Sequence, residues 1–236
     1  MSEKHNLSAS GFAPRIDPAI LALRPDFVAL SLVVSGGRNA PSPDWVQAQL
    51  AAACADVASG PAWGADHLAA WQDAYRAFGA KPQRTPCSAE ALRKRAAKDG
   101  SMGSINAVVD LYNAVSIAYA VPVGGEDIAA YVSSPTLTIA TGTEPFETMK
   151  DGAPSIEHPE KGEVVWRDEK GVTCRRWNWR QGPRTRITEK TRDMWFVIER
   201  LGPMPIEALH DAGAALAKGL LRLAPEARIA TTLLTV

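Results

Sequence analysis

The chain has 236 residues, 26 Lys plus Arg against 26 Asp plus Glu, and 46% hydrophobic with 22% charged residues. That length can bury a large core, and this composition excludes a disordered or fibrous protein. A formal net charge of zero leaves no global field that would draw the molecule to nucleic acid or a membrane surface, so any RNA contact must come from a local patch.

Residues 1–15 are polar and read as a flexible N-terminal arm, with a single domain over 16–236. Phe27 to Ser35 is a continuous apolar, β-branched run closed by Gly36-Gly37, as a buried strand would be. Ser42-Pro43 reads as the N-cap and first turn of an Ala-rich helix over 44–58. A second helix, 65–78, sets Leu68, Trp71, Tyr75 and Phe78 on one face. Pro82 and Pro86 keep the chain extended until Ser88 opens a short basic helix, 89–98. Its Arg93, Lys94, Arg95 and Lys98 form either a phosphate track or a solvated face. Over 105–119 a stripe of Val108, Val109, Tyr112, Val115 and Ile117 predicts another helix. Beside the stripe, Asn106, Asp110, Asn113 and Ser116 share one face, which lines a pocket or is merely solvated, with Asn106 near a cap.

Glycine and proline gather at 122–125, and from there to Trp177 the chain reads as short strands separated by turns. Gly124-Gly125 is taken as such a turn, followed by Glu126 and Asp127, which either cap a helix or point into a cleft. The best strand candidates are 136–140, 163–167, 172–177 and 194–201. A last helix begins near Pro205 with Leu209, Ala212, Leu216, Leu220 and Leu223 on one face, and 229–236 reads as a closing strand. Helices ahead of a block of strands predict an α+β domain, with a mostly antiparallel, barrel-like or sandwiched sheet flanked by helices.

Several chemistries lack their signatures. His5, His67, His158 and His210 stand singly, with no paired histidines and no CxxC, so no metal site is expected. No GxGxxG, GxxxxGK or GxSxG pattern occurs, which argues against a nucleotide cofactor and the serine-hydrolase elbow. Cys54, Cys87 and Cys174 are odd in number and far apart, and no secretory signal segment or membrane-length apolar run is seen. They read as buried thiols of a cytoplasmic protein. The run Arg175-Arg176-Trp177-Asn178-Trp179-Arg180 offers guanidinium forks and stacking faces together. It is equally an edge strand with its tryptophans in the core and its arginines solvated. By alternation, Trp177 and Trp179 would pack with Arg175, while Arg176, Asn178 and Arg180 would share the opposite face.

The segments INAVVDLYNAVSIAYAVPVGGED and TRITEKTRDMWFVIE, supported by FGAKPQRTP, SAEALRKR, GEVVWRD and RRWNWR, together resemble the B-three/B-four tRNA-editing module of the phenylalanyl-tRNA synthetase β-subunit, in its freestanding form. The resemblance spans about residues 71–201. It implies hydrolysis in trans of a mischarged aminoacyl-tRNA ester, with the aminoacylated 3′ end of a tRNA as partner and no cofactor; the alternatives are a tRNA- or RNA-binding module without catalysis, and an enzyme or sensor for an amino-acid-like small molecule that has lost the tRNA. Nothing resembles a synthetase core, so aminoacylation is not expected. The resemblance also implies a cleft lined by Asn106, Asp110, Asn113 and Ser116 from a helix and by Arg176, Asn178 and Arg180 from the sheet. Two departures bear on specificity. The synthetase module has a pocket histidine where this chain has Gly124-Gly125. Its glutamate that reads the tyrosine hydroxyl is matched by Glu199, two places late, or by Val197.

Overall fold

The computed structural model describes residues 8–234. In chain order the elements are β1 (Arg15–Ile16), α1 (Pro18–Leu23), β2 (Val28–Ser35), α2 (Asp44–Ala55), α3 (Gly64–Ala77), α4 (Ser88–Asp99) and α5 (Ala107–Tyr119). There follow β3 (Val123–Asp127), β4 (Thr136–Ile139), β5 (Phe146–Lys150), β6 (Ala153–Glu157), β7 (Val164–Arg167), β8 (Val172–Arg175), β9 (Arg180–Gln181), β10 (Met194–Arg200), α6 (Ile206–Leu223) and β11 (Arg228–Leu234).

The strands form two sheets, one ordered β1-β4-β7-β8-β5-β6 with β9 paired to β8, the other β11-β2-β10-β3. Pairing is antiparallel except at β1 with β4 and β5 with β8. The fold is therefore α+β with sandwiched sheets, and no barrel closes.

The four-stranded sheet is the middle layer, and strand alternation explains how it serves two cores. Leu30, Leu32 and Val34 of β2 and Met194, Phe196 and Ile198 of β10 pack against α2, α5 and α6. The alternate residues Ala29, Trp195 and Val197 face the larger sheet, where they meet Leu137, Val164 and Trp166. Continuous apolar runs such as Phe27–Ser35 arise because both faces of the strand are covered. Helix α6 comes close enough that a side chain on Gly213 would lie 2.4 Å from Leu30 Cδ2, so that Leu30 would have to shift within the core.

Some expectations are corrected. Residues 8–15 are not a loose arm: Phe12 is buried with its ring edge-on to Tyr131 at 5.3 Å, and Arg15–Ile16 pairs with β4. A polar average hid one aromatic anchor; residues 1–7 of the expected arm lie outside the described residues. Ser42 does not cap α2, whose N-cap is Pro43; its hydroxyl donates instead to Asp110. Gly124-Gly125 is strand rather than turn, paired with Val197 and Phe196 of β10, and glycine stands at 125 because a side chain there would come within 2.9 Å of the Phe196 and Tyr112 rings. Of the expected closing strand, positions 235 and 236 lie outside the described residues.

Candidate functional site

Between the two sheets, beneath the first turn of α4, lies a cavity of about 280 Å³. Its floor comes from β3 and β10, whose antiparallel register sets Glu126 opposite Trp195 and Gly124 opposite Val197. Facing partners share a side of a sheet, so Glu126, Gly124, Trp195, Val197 and Glu199 all reach the cavity. The far wall is Trp166 and Cys174 of the larger sheet with Trp177, Asn178 and Trp179; Tyr112 and Asn113 of α5 and Ser88 of α4 complete it.

The segment 176–179 is a turn, not the end of a strand, because Arg176 and Trp177 both adopt left-handed backbone at φ 48° and 66°. Such strain persists only where the surroundings fix it, and here Glu163 does so. Its carboxylate accepts from Arg175 Nε at 3.0 Å and Nη2 at 2.9 Å, and from the Arg176 backbone N–H at 3.0 Å. Arg175 Nη1 also donates to Glu157 at 3.0 Å. The Trp177 N–H donates to Val164 O at 2.6 Å. Trp177 is thereby driven into the core, edge-on to Phe27 at 5.0 Å and Trp71 at 5.2 Å, with Asn178 turned into the cavity.

Strand alternation therefore misplaces the run. Trp177, Asn178 and Trp179 all line the cavity. Arg176 and Arg180 do not: they lie over the Trp179 ring, 4.6 and 5.8 Å from its centroid, and Arg180 donates to Thr148. The row on α5 divides likewise. Asn106 is the N-cap, accepting from Val109 N at 3.0 Å. Asp110 accepts from Ser42 and Ser104 hydroxyls at 2.5 Å and from Ile105 N at 2.9 Å, which staples the preceding loops to the helix. Ser116 donates to Val121 O at 2.7 Å. Among the four, Asn113 alone lines the cavity.

Glu199 is the best-connected polar group there. It is 1% exposed and accepts from Trp166 Nε1 at 3.0 Å and Asn178 Nδ2 at 2.9 Å; Asn178 Oδ1 in turn accepts from the Tyr75 hydroxyl at 2.9 Å. Burial pushes its pKa up to about 7 against the pull of these neutral donors. Glu126 accepts from the Tyr131 hydroxyl and is raised by burial to about 8. The lining residues include no lysine, arginine or histidine. Burial also raises the Cys87 thiol to about 12 and the Cys174 thiol well above its usual range, so neither is a ready nucleophile.

The candidate phosphate helix, α4, begins at the cavity with Ser88, Ala91 and Leu92. Arg93 turns inward, donating to Ile117 O at 2.5 Å and Val57 O at 2.7 Å. Lys94 pairs with Glu90 at 2.7 Å and Arg95 with Asp99 at 3.9 Å, whereas no ion pair of Lys98 is formed among the described residues. The same residues contain no cluster of metal-ligating side chains and no helix long and apolar enough to cross a membrane. His67 is fully buried and neutral: Trp71 Nε1 and the Leu201 N–H both donate to Nε2, leaving Nδ1 to donate to Ala120 O, and burial lowers its pKa to about 4.

Sequence reasoning left Glu126 between cap and cleft and passed over Trp166, Trp195 and Gln181. The available signal was the two-residue spacing of Trp195, Val197 and Glu199 on one strand. No curated protein matches the chain. The model of the B3/4 domain matches residues 70–211, more than half of the sequence and the whole lining of the cavity. The chain belongs to the B3/4 domain family, associated with tRNA synthetase β-subunit-like domains.

Proposed function

We propose that the cavity receives the aminoacyl group at the 3′ end of a tRNA and that the protein hydrolyses that ester in trans, without aminoacylation. The observation that carries this reading is Glu199, a carboxylate buried in an aromatic cavity with its pKa raised to about 7. An aminoacyl ester is already activated, so a positioned water and donors for the tetrahedral oxyanion suffice. A base titrating near neutrality is matched to removing the proton from such a water. The buried Ser88 hydroxyl has no hydrogen-bond partner among the described residues and its residue lines the cavity, which makes it a donor available to the oxyanion. Helix α4 runs from the cavity outward, so Lys94, Arg95 and Lys98 follow it along the path a tRNA backbone would take. Action on tRNA implies a cytoplasmic location.

A second reading, a binder of free amino acids that has lost tRNA, is favoured by Arg93 being turned inward onto backbone carbonyls and by the ion pairs of Lys94 with Glu90 and Arg95 with Asp99. Incubation with a panel of mischarged tRNAs separates the two. The hydrolase releases amino acid from at least one of them faster than buffer does, and Glu199→Gln slows it at least tenfold. A free amino-acid binder accelerates none.

A further inference from the structure

The cavity has a polarity that the hydrolase reading does not explain. Its two carboxylates stand on one face of the same pair of strands, yet at opposite ends of the floor. Glu126 faces Trp195, and Glu199 lies four residues further along β10, its N–H donating to Pro122 O just before β3. At about 3.3 Å per residue their backbones are roughly 13 Å apart. Between them the floor is nearly flat, made by Gly124 and Val197, and the walls are the rings of Trp166, Trp177, Trp179 and Trp195.

Buried carboxylates are ordinarily paired or surrounded by donors. Here no cationic side chain lines the cavity, and the Asn113 amide makes no hydrogen bond among the described residues. Glu199 accepts one bond at each oxygen and Glu126 accepts one from Tyr131. A carboxylate has about four acceptor positions, so both retain capacity towards the cavity. Indole faces add an attraction for positively charged nitrogen. Neither carboxyl has an ion pair among the described residues, so a ligand with a cationic nitrogen at each end would draw both into their charged form. Two carboxyls whose backbones stand roughly 13 Å apart on one face of the floor suit a ligand with a cationic nitrogen at each end and several carbons between them. An extended amino acid whose side chain ends in an amine, as lysine's does, has that form.

We propose that the cavity selects an amino acid, or the ester of one, with a long side chain ending in a positively charged nitrogen, held between Glu126 and Glu199. This names the substrate class of the site described above and rests on that site being the ligand cavity. The selection does not require that an ester be cleaved there.

The test is a titration of the full-length chain at neutral pH, followed by tryptophan fluorescence, with L-lysine methyl ester against L-norleucine methyl ester. The two probes share the α-amine, the ester and the carbon chain, and differ in the terminal nitrogen. Lysine ester is expected to bind at least tenfold more tightly, and Glu126→Gln and Glu199→Gln are each expected to abolish the preference while preserving far-UV circular dichroism. Equal affinities, or tighter binding of norleucine ester, overturn the proposal without any variant being needed. Hydrolysis of mischarged tRNA with no preference for cationic amino acids would also overturn it, leaving the editing reading intact. Selective binding of lysine ester without hydrolysis of any tRNA would support it and remove the editing reading alone.

Discussion

Arg175 and Glu199 are both buried ionisable groups beside one cavity, and the protein satisfies them in opposite ways. Arg175 is held by two carboxylates, one of them bidentate. Glu199 has only neutral donors, from Trp166 and Asn178, and its pKa drifts up to about 7. Arg184, paired with Asp168 at 2.7 and 3.0 Å, belongs with Arg175; Glu126, with Tyr131, belongs with Glu199. Matched charges fix the backbone that shapes the cavity, and uncompensated acids are left where a ligand can reach them. A full ion pair with another residue of the protein would fill the oxygens that Glu199 turns to the cavity, leaving none for a ligand or a water.

The comparison can be broken at the paired side first. Glu163→Gln leaves the Arg175 guanidinium short of its main counter-charge and releases the left-handed turn, so a loss of about 3 kcal/mol in urea unfolding is expected, with ligand binding lost as well. An unchanged midpoint would show that the pair does not hold the turn. Gly125→Ala, which forces a methyl group against Phe196 and Tyr112, is expected to cost about 2 kcal/mol by the same measurement.

On the unpaired side, Glu199→Gln is expected to cost only about 1 kcal/mol at pH 6, since one neutral donor loses its acceptor. Its signature is instead in the pH profile. Glu199 and Glu126 keep their protons in the fold after the unfolded chain has released them, so their contribution is fully present below about pH 4.5 and is lost as pH rises through about 7 and 8. His67 acts in the opposite sense: its contribution is present above pH 6.5 and is lost as pH falls towards about 4. The two carboxyls outweigh the one imidazole, so thermal melts should show stability greatest between about pH 4 and 5 and falling as pH rises towards about 8, and Glu199→Gln should flatten that fall. The smallest effect is at the surface. Lys98→Ala should move stability by less than about 0.5 kcal/mol and lower the salt dependence of tRNA binding by about one counterion.

The sequence was most legible where one periodicity governs a whole element. The runs at β2, α3 and α6 announce themselves by apolar spacing, and the α+β order follows from them. Site residues were harder to place because polar side chains at identical spacing have several partners to choose from. Asp110 and Asn113 lie one turn apart, yet Asp110 is taken by Ser42 and Ser104 from other segments while Asn113 reaches the cavity. The turn at 176–179 was hidden for a different reason. Nothing local requires Arg176 and Trp177 to enter left-handed backbone, and the cause is Glu163, on the far side of a hairpin. Glu199 was named only through the family resemblance, with Val197 as the alternative, and the alternation of β10 sets both on the cavity side.

The central claim is that the cavity between the sheets holds an aminoacyl group and that Glu199 activates the attacking water. Release of amino acid from a panel of mischarged tRNAs, by the wild-type chain and by Glu199→Gln side by side, tests it most directly. At least one tRNA should be deacylated well above the buffer rate, with a loss of tenfold or more in the variant. Deacylation that is absent throughout, or that proceeds undiminished in Glu199→Gln, would contradict it.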